Sequence, residues 1–113
     1  MQRVRRLTSS VDIRRTYSEG RRASSPSNIV HVRRSDEDRP ARVGVSAARS
    51  IGGAVERNRA KRRVREAVRS IAGSLAPGSD VMVVATTRTA RVQFQELVDS
   101  VTKNLDKAGG LVG

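Results

Sequence analysis

The sequence predicts an α+β fold, a single-domain α/β sandwich around one mixed sheet. Three observations lead there. Asn28 to Arg33, with β-branched Ile29, Val30 and Val32, and Ala41 to Ala47, where Ala41, Val43, Val45 and Ala47 alternate with Arg42, Gly44 and Ser46, read as strands. A continuous apolar run, Val81-Met82-Val83-Val84-Ala85, reads as a strand buried on both faces. Two stripes at helical spacing complete the pattern: Ala60, Val64, Ala67, Val68 and Ile71, then Phe94, Leu97, Val98, Val101 and Leu105. The chain has 113 residues, which suits one domain with a modest core.

Taken in order, residues 1–8 read as a flexible basic arm carrying Arg3, Arg5 and Arg6. Thr8, Ser9 and Ser10 offer caps for a short helix from Ser9 to Ser18, with Gly20 as its stop. Ile13 and Tyr17 form an i, i+4 pair on one face of it. Gly20 to Ser27 is rich in Arg, Ser and Pro and reads as a loop. The strands Asn28–Arg33 and Ala41–Ala47 flank the polar turn Asp36-Glu37-Asp38-Arg39-Pro40, which suggests an antiparallel hairpin. Gly52-Gly53 ends a connector, and a long helix follows from Ala54 to Ile71. Pro77-Gly78 marks a turn before the Val81 strand. The final helix runs from Gln93 to Lys107, with Phe94 heading its core stripe, and residues 108–113 read as a flexible tail. The unit from the Ala41 strand through the long helix to the Val81 strand fits βαβ; a right hand is the general rule, and spacing alone does not fix it.

The chemistry concentrates in the long helix. Between Arg57 and Arg69, the cations Arg57, Arg59, Lys61, Arg62, Arg63, Arg65 and Arg69 face a single acid, Glu66. At about 100° per residue, Asn58, Arg62, Arg65 and Arg69 fall opposite the apolar stripe and form a ridge. Guanidinium is planar, permanently charged and able to grip a phosphate through two hydrogen bonds. So dense a ridge repels itself unless an anion neutralises it, and Arg57 and Arg59 sit near a helix N-terminus that disfavours cations. The whole chain agrees: 23 Lys and Arg against 11 Asp and Glu give a net charge of +12, which favours nucleic acid. All but Lys61, Lys103 and Lys107 of these cations are Arg, which fits either a coding bias or a functional choice.

Other chemistries are poorly supported. There is no Cys, so disulfide, Cys-metal and thiol redox sites are excluded. His31 is the only histidine, which argues against a metal ligand set or a general base. Asp36, Glu37 and Asp38 read as a solvated loop, Ser46 lacks partners for nucleophilic catalysis, and Gly52-Gly53 lacks phosphate-loop spacing. With Tyr17 and Phe94 the only aromatics, phosphate and shape contacts should outweigh base stacking. Tyr17 is open between a ligand-facing and a core-edge place. No apolar run approaches a membrane span and no secretory h-region follows the first charges, so a cytoplasmic protein without a membrane partner is expected.

The segment Arg42-Val43-Gly44-Val45-Ser46, then Arg49, Ile51-Gly52, Ala54-Val55 and Arg57-Asn58-Arg59-Ala60-Lys61-Arg62, resembles the protein component of bacterial ribonuclease P. Leu7, the Ile13/Tyr17 helix, Gly20, the Asp80-to-Ala85 strand and the last helix extend the resemblance over nearly the whole chain. It implies a sandwich like the second domain of a small-subunit ribosomal protein, with a left-handed βαβ crossover. It implies a subunit that joins a catalytic RNA and helps remove the 5′ leader of precursor tRNA by metal-dependent endonucleolytic hydrolysis. Magnesium would be held mainly by the RNA, with no catalytic residue in the protein. The partners implied are that RNA and precursor tRNA, with no required protein partner. Arg49, Arg57, Asn58, Arg59, Lys61, Arg62, Arg65 and Arg69 are the implied RNA contacts. Ile13, Tyr17, His31 and Ser46 are the implied leader contacts. Ile13 and His31 stand where the family often has aromatics, Gly53 where a side chain such as Asn is common, and Ser50 where a second cation often follows Arg49.

Two rivals remain at this level. One is a ribosomal-type or general RNA-binding chaperone with no part in catalysis. The other is a helix-turn-helix DNA regulator, weakened because strands rather than helices flank the basic helix.

Overall fold

The computed structural model describes residues 4–112. Its elements are β1 (Arg5–Arg6), α1 (Ser10–Glu19), β2 (Arg21–Ser25), β3 (Asn28–Arg33), β4 (Arg42–Ala47), α2 (Ala54–Ser70), β5 (Asp80–Ala85) and α3 (Phe94–Lys107). One mixed sheet runs in the order β1-β4-β5-β3-β2.

β5 lies at the centre, parallel to β4 and antiparallel to β3. That placement explains its continuous apolar run, since only Val84 in it escapes full burial. It also overturns the expected hairpin between β3 and β4, which are separated by β5 and do not pair. The true hairpin joins β2 to β3 through Pro26 and Ser27, with Ser25 opposite Asn28. The stretch Gly20 to Ser27, whose Arg, Ser and Pro content reads as a loop, instead carries β2, in which Ala23 is the one apolar residue. An edge strand needs only one inward position, and Ala23 fills it.

Alternation divides the sheet into two faces. On one, Val30, Val32, Val43, Val81, Val83 and Ala85 are buried beneath α2 and α3. The α2 stripe supplies Ala60, Val64, Ala67 and Val68, and α3 supplies Leu97, Val98, Val101 and Leu105. Fully burying each Val or Leu contributes about 1.5–3 kcal/mol. Asn104 stands inside the α3 stripe and is buried, so it needs partners. Its amide donates to Asn28 Oδ1 at 2.8 Å, while the Asn28 amide donates to Ser27 and Ser100 at 3.0 and 3.1 Å. These bonds tie α3 to the β2–β3 turn. Phe94 does not head the core stripe as expected; it sits in the first turn of α3, 38% exposed.

α1 alone covers the opposite face, against β3 and β5. Gly20 ends it where a Cβ would lie 2.4 Å from the Thr16 carbonyl oxygen and 2.9 Å from that of Val32. Close approach, with φ at −76°, explains this glycine, not the left-handed cap expected of a helix stop. Gly78 does adopt φ +79°, in the turn before β5.

The described parts of the arm and tail make specific contacts. Arg5 and Arg6 pair in parallel with Arg42 and Val43, and Leu7 is buried. Ala108 and Gly110 are buried, Leu111 bridges Leu75, and the Val112 amide donates to the Ser74 carbonyl at 2.8 Å. Arg3 and Gly113 lie outside the described residues.

Candidate nucleic-acid interface

α2 spreads its cations over three directions. Asn58, Arg62, Arg65 and Arg69 are exposed, as expected for the face opposite the stripe, and no carboxylate among the described residues pairs with these arginines. Arg65 and Arg69 border a cavity of about 660 Å³ at the β4 edge, shared with Leu7, Ile13 and Met82. On the opposite flank, Arg59 faces the β5–α3 loop beside Arg91. Arg57 and Lys61 are half-buried along the helix, and Arg49 is exposed in a short 3₁₀ turn before it. Gly53 occupies the N-cap of α2 without any side-chain cap. The helix therefore begins without a side-chain cap, with the Glu56 carboxylate in its first turn beside Gly53 and the cations Arg57 and Arg59 following.

Arg63 is the exception among the α2 cations. Its guanidinium donates to the carbonyls of Thr89 and Val92 at 2.6 and 2.8 Å. The loop it grips is further organised by Thr89, whose hydroxyl donates to the Ser27 carbonyl and accepts from the Thr86 amide. Thr86 in turn donates to the Pro26 carbonyl at 2.6 Å. Held in this way, the loop presents Arg88 and Arg91 to solvent. Sequence reasoning missed both, because isolated arginines in a Thr-rich loop carry no periodic signal.

The face under α1 forms the second surface. Register places Gly44, Met82, His31 and Arg22 in one row across β4, β5, β3 and β2. The next row holds Ser46, Val84, Ile29 and Ser24, none of them fully buried. Tyr17 reaches over these rows from α1. Its ring meets His31 edge to face, centroids 4.8 Å apart. Burial pushes its phenol above the ordinary pKa, and the nearby Ser46 hydroxyl pulls it partly back. Burial and the nearby Arg22 charge push His31 below its ordinary value. His31 Nδ1 is buried with no hydrogen-bond partner among the described residues. Tyr17, His31 and Ser46 are thus brought together. Ile13 sits one turn earlier on α1 and lines the cavity at the β4 edge instead.

The uncovered row leads toward the first surface. β4 and β5 are parallel, so their C-terminal ends share one edge of the sheet, and Arg49 and Arg88 follow there. The basic α2 N-terminus begins beyond the same edge. Tyr17 and the open strand row therefore lie toward the sheet edge from which Arg49 and the basic helix α2 follow.

Comparison with known proteins agrees with this geometry. The family described as Ribonuclease P matches residues 1–109. A ribonuclease P protein component from Symbiobacterium thermophilum is 37% identical over 109 residues, covering 96% of this chain and 95% of its own. The solved RNase P protein from Thermotoga maritima superposes with a TM-score of 0.73 at 27% identity, covering 87% of this chain and 92% of that one. An RNase P protein mutant from Staphylococcus aureus shares the fold with a TM-score of 0.80 at 24% identity, over 94% and 89% of the two chains. A charged helix, an open strand platform and a family match along almost the entire sequence converge: the chain belongs to the ribonuclease P protein family.

Proposed function

We propose that this chain assembles with the catalytic RNA of ribonuclease P through the outward side of α2, and receives the 5′ leader of precursor tRNA on the strand platform beside Tyr17. The observation that carries this reading is the open strand row beside Tyr17, at the sheet edge that Arg49 and the α2 N-terminus follow. A leader lying on Ser46, Val84 and Ile29 would emerge beside Arg49 and the start of α2. There its phosphates would meet the cations that also face the RNA.

Each residue then has a physical task. Arg62, Arg65 and Arg69, with Asn58, neutralise RNA phosphates on the open face of the helix. Arg59, with Arg88 and Arg91, widens that contact on the loop flank. Tyr17 offers one aromatic edge to an unstacked base, a contact tolerant of sequence. His31, kept neutral by burial and Arg22, supports the Tyr17 ring.

Hydrolysis of the leader is assigned to the ribonucleoprotein, with magnesium supplying metal-assisted phosphodiester cleavage. The ion is assigned mainly to the RNA. No helix among the described residues is long and apolar enough to cross a membrane, and the cytoplasm is the proposed compartment. The test is a pair of affinities. The assembled complex should bind precursor tRNA more tightly than mature tRNA, and RNA alone should discriminate less. Equal discrimination with and without the protein would favour a general RNA-binding role and refute leader capture.

A further inference from the structure

α1 is weakly anchored by apolar contacts. Thr16 is its only fully buried residue, and Val11 faces solvent. Charge does more. Asp80, at the start of β5, is completely buried, and register sets Arg42 of β4 and Arg33 of β3 on either side of it. Arg42 binds the carboxylate with two bonds, 2.7 and 2.8 Å. Arg39 approaches at 3.1 Å and Arg33 at 3.6 Å. Two of these guanidiniums reach on to α1. Arg42 Nη1 lies 3.3 Å from Asp12 in its first turn, and Arg33 Nε lies 3.5 Å from Glu19 at its last residue. Both ends of α1 are therefore tied to one buried carboxylate, and Tyr17 lies between the ties. A bidentate arginine is a rigid arm, and its second edge carries that rigidity outward.

We infer that Asp80, acting through Arg42 to Asp12 and through Arg33 to Glu19, sets where α1 rests on the sheet and so positions Tyr17 over the leader platform. This rests on the proposal that the leader lies there. Asp80, Arg42, Arg33, Asp12 and Glu19 are positioning residues: none of them needs to touch RNA. Removing the Asp80 carboxylate would leave three guanidiniums around a buried neutral group and threaten the fold itself. The outer links are the informative ones.

The experiment uses Asp12→Asn and Glu19→Gln, with Tyr17→Ala as the reference. In the free protein, Tyr17 is the only tyrosine and there is no tryptophan, so ultraviolet titration reads its phenol alone. In both variants the phenol should titrate at lower pH than in the parent, because α1 no longer holds it against the sheet. In the assembled complex, both variants should lose about threefold or more in preference for precursor over mature tRNA, with RNA assembly unchanged. The helix dipole separates this from simple helix stability. Neutralising Asp12 near the N-terminus weakens α1, whereas neutralising Glu19 at the C-terminus removes a dipole penalty, once the loss of its 3.3 Å pair with Arg15 is subtracted by the control Arg15→Ala. Equal direction in both variants supports positioning; opposite directions overturn it. If Tyr17→Ala loses the preference and neither variant does, the inference fails while the leader site stands. If Tyr17→Ala retains the preference, the leader site fails and the inference falls with it. The phenol titration then shows separately whether the ion pairs dock α1.

Discussion

Arg62 and Arg63 are neighbours on one helix, yet replacing them should have opposite consequences. Arg62 is exposed, as is Arg65, and neither has a carboxylate partner among the described residues. The double change Arg62→Ala, Arg65→Ala should therefore leave thermal stability within about 0.5 kcal/mol. Each phosphate contact contributes about −0.9 to the slope of log affinity against log salt on a duplex, so losing two should flatten it by about 1.8. Between 50 and 200 mM salt the parent should then lose about twelvefold more affinity for the catalytic RNA than the variant does. Arg63→Ala should do the reverse. Its guanidinium satisfies two loop carbonyls at 2.6 and 2.8 Å, and removing it should cost about 1–3 kcal/mol of stability. Its salt slope should change little. Filter-binding titrations across salt, with thermal denaturation of each variant, measure both quantities. An unchanged slope for the double variant, or a steep loss of slope for Arg63→Ala, would refute the division of α2 into an RNA face and a structural face.

Other perturbations follow from the same geometry. Tyr17→Ala should weaken precursor tRNA by about 1–3 kcal/mol and leave mature tRNA almost unaffected, whereas Tyr17→Phe should retain most of the affinity; an equal loss on both substrates would make Tyr17 structural. His31 has a depressed pKa in the fold, so the folded state favours its neutral form. Its contribution to stability is full above the unfolded value, about 6.5, and is lost as pH falls through the lower folded value. Denaturant titrations at a series of pH values should show that decline, and His31→Gln should flatten it. Asp80→Ala leaves three half-buried guanidiniums without their shared carboxylate and should cost about 3–5 kcal/mol, against under 1 kcal/mol for removing the exposed acid Asp36; similar losses would deny Asp80 its central place.

Much of this was legible in the sequence, for identifiable reasons. The strands Asn28–Arg33 and Val81–Ala85 and the helix from Ala54 carry strong periodic signals, and each lies within a residue of its expected bounds. The expected ridge is exposed because its spacing opposes a stripe that packs. Strand order was not legible. β3 and β4 adjoin in sequence, and nothing local shows that β5 inserts between them. β1 escaped notice because two arginines make an unlikely strand until Leu7 is seen to anchor them. The Asp80 network was invisible for the same reason: its arginines meet it only through register across three strands. Arg63 looks like every other cation in its run, and only the folded β5–α3 loop singles it out. Phe94 misled because the stripe it seemed to head begins at Leu97.

The account claims that the chain carries the binding and the RNA carries the chemistry. The most direct measurement is cleavage of precursor tRNA at low magnesium by the catalytic RNA alone, by the purified protein alone, and by both together. The account predicts cleavage at the mature 5′ end only when both are present, with no activity from the protein by itself. Sustained cleavage by protein free of RNA, or no stimulation of the RNA by the protein, would contradict it.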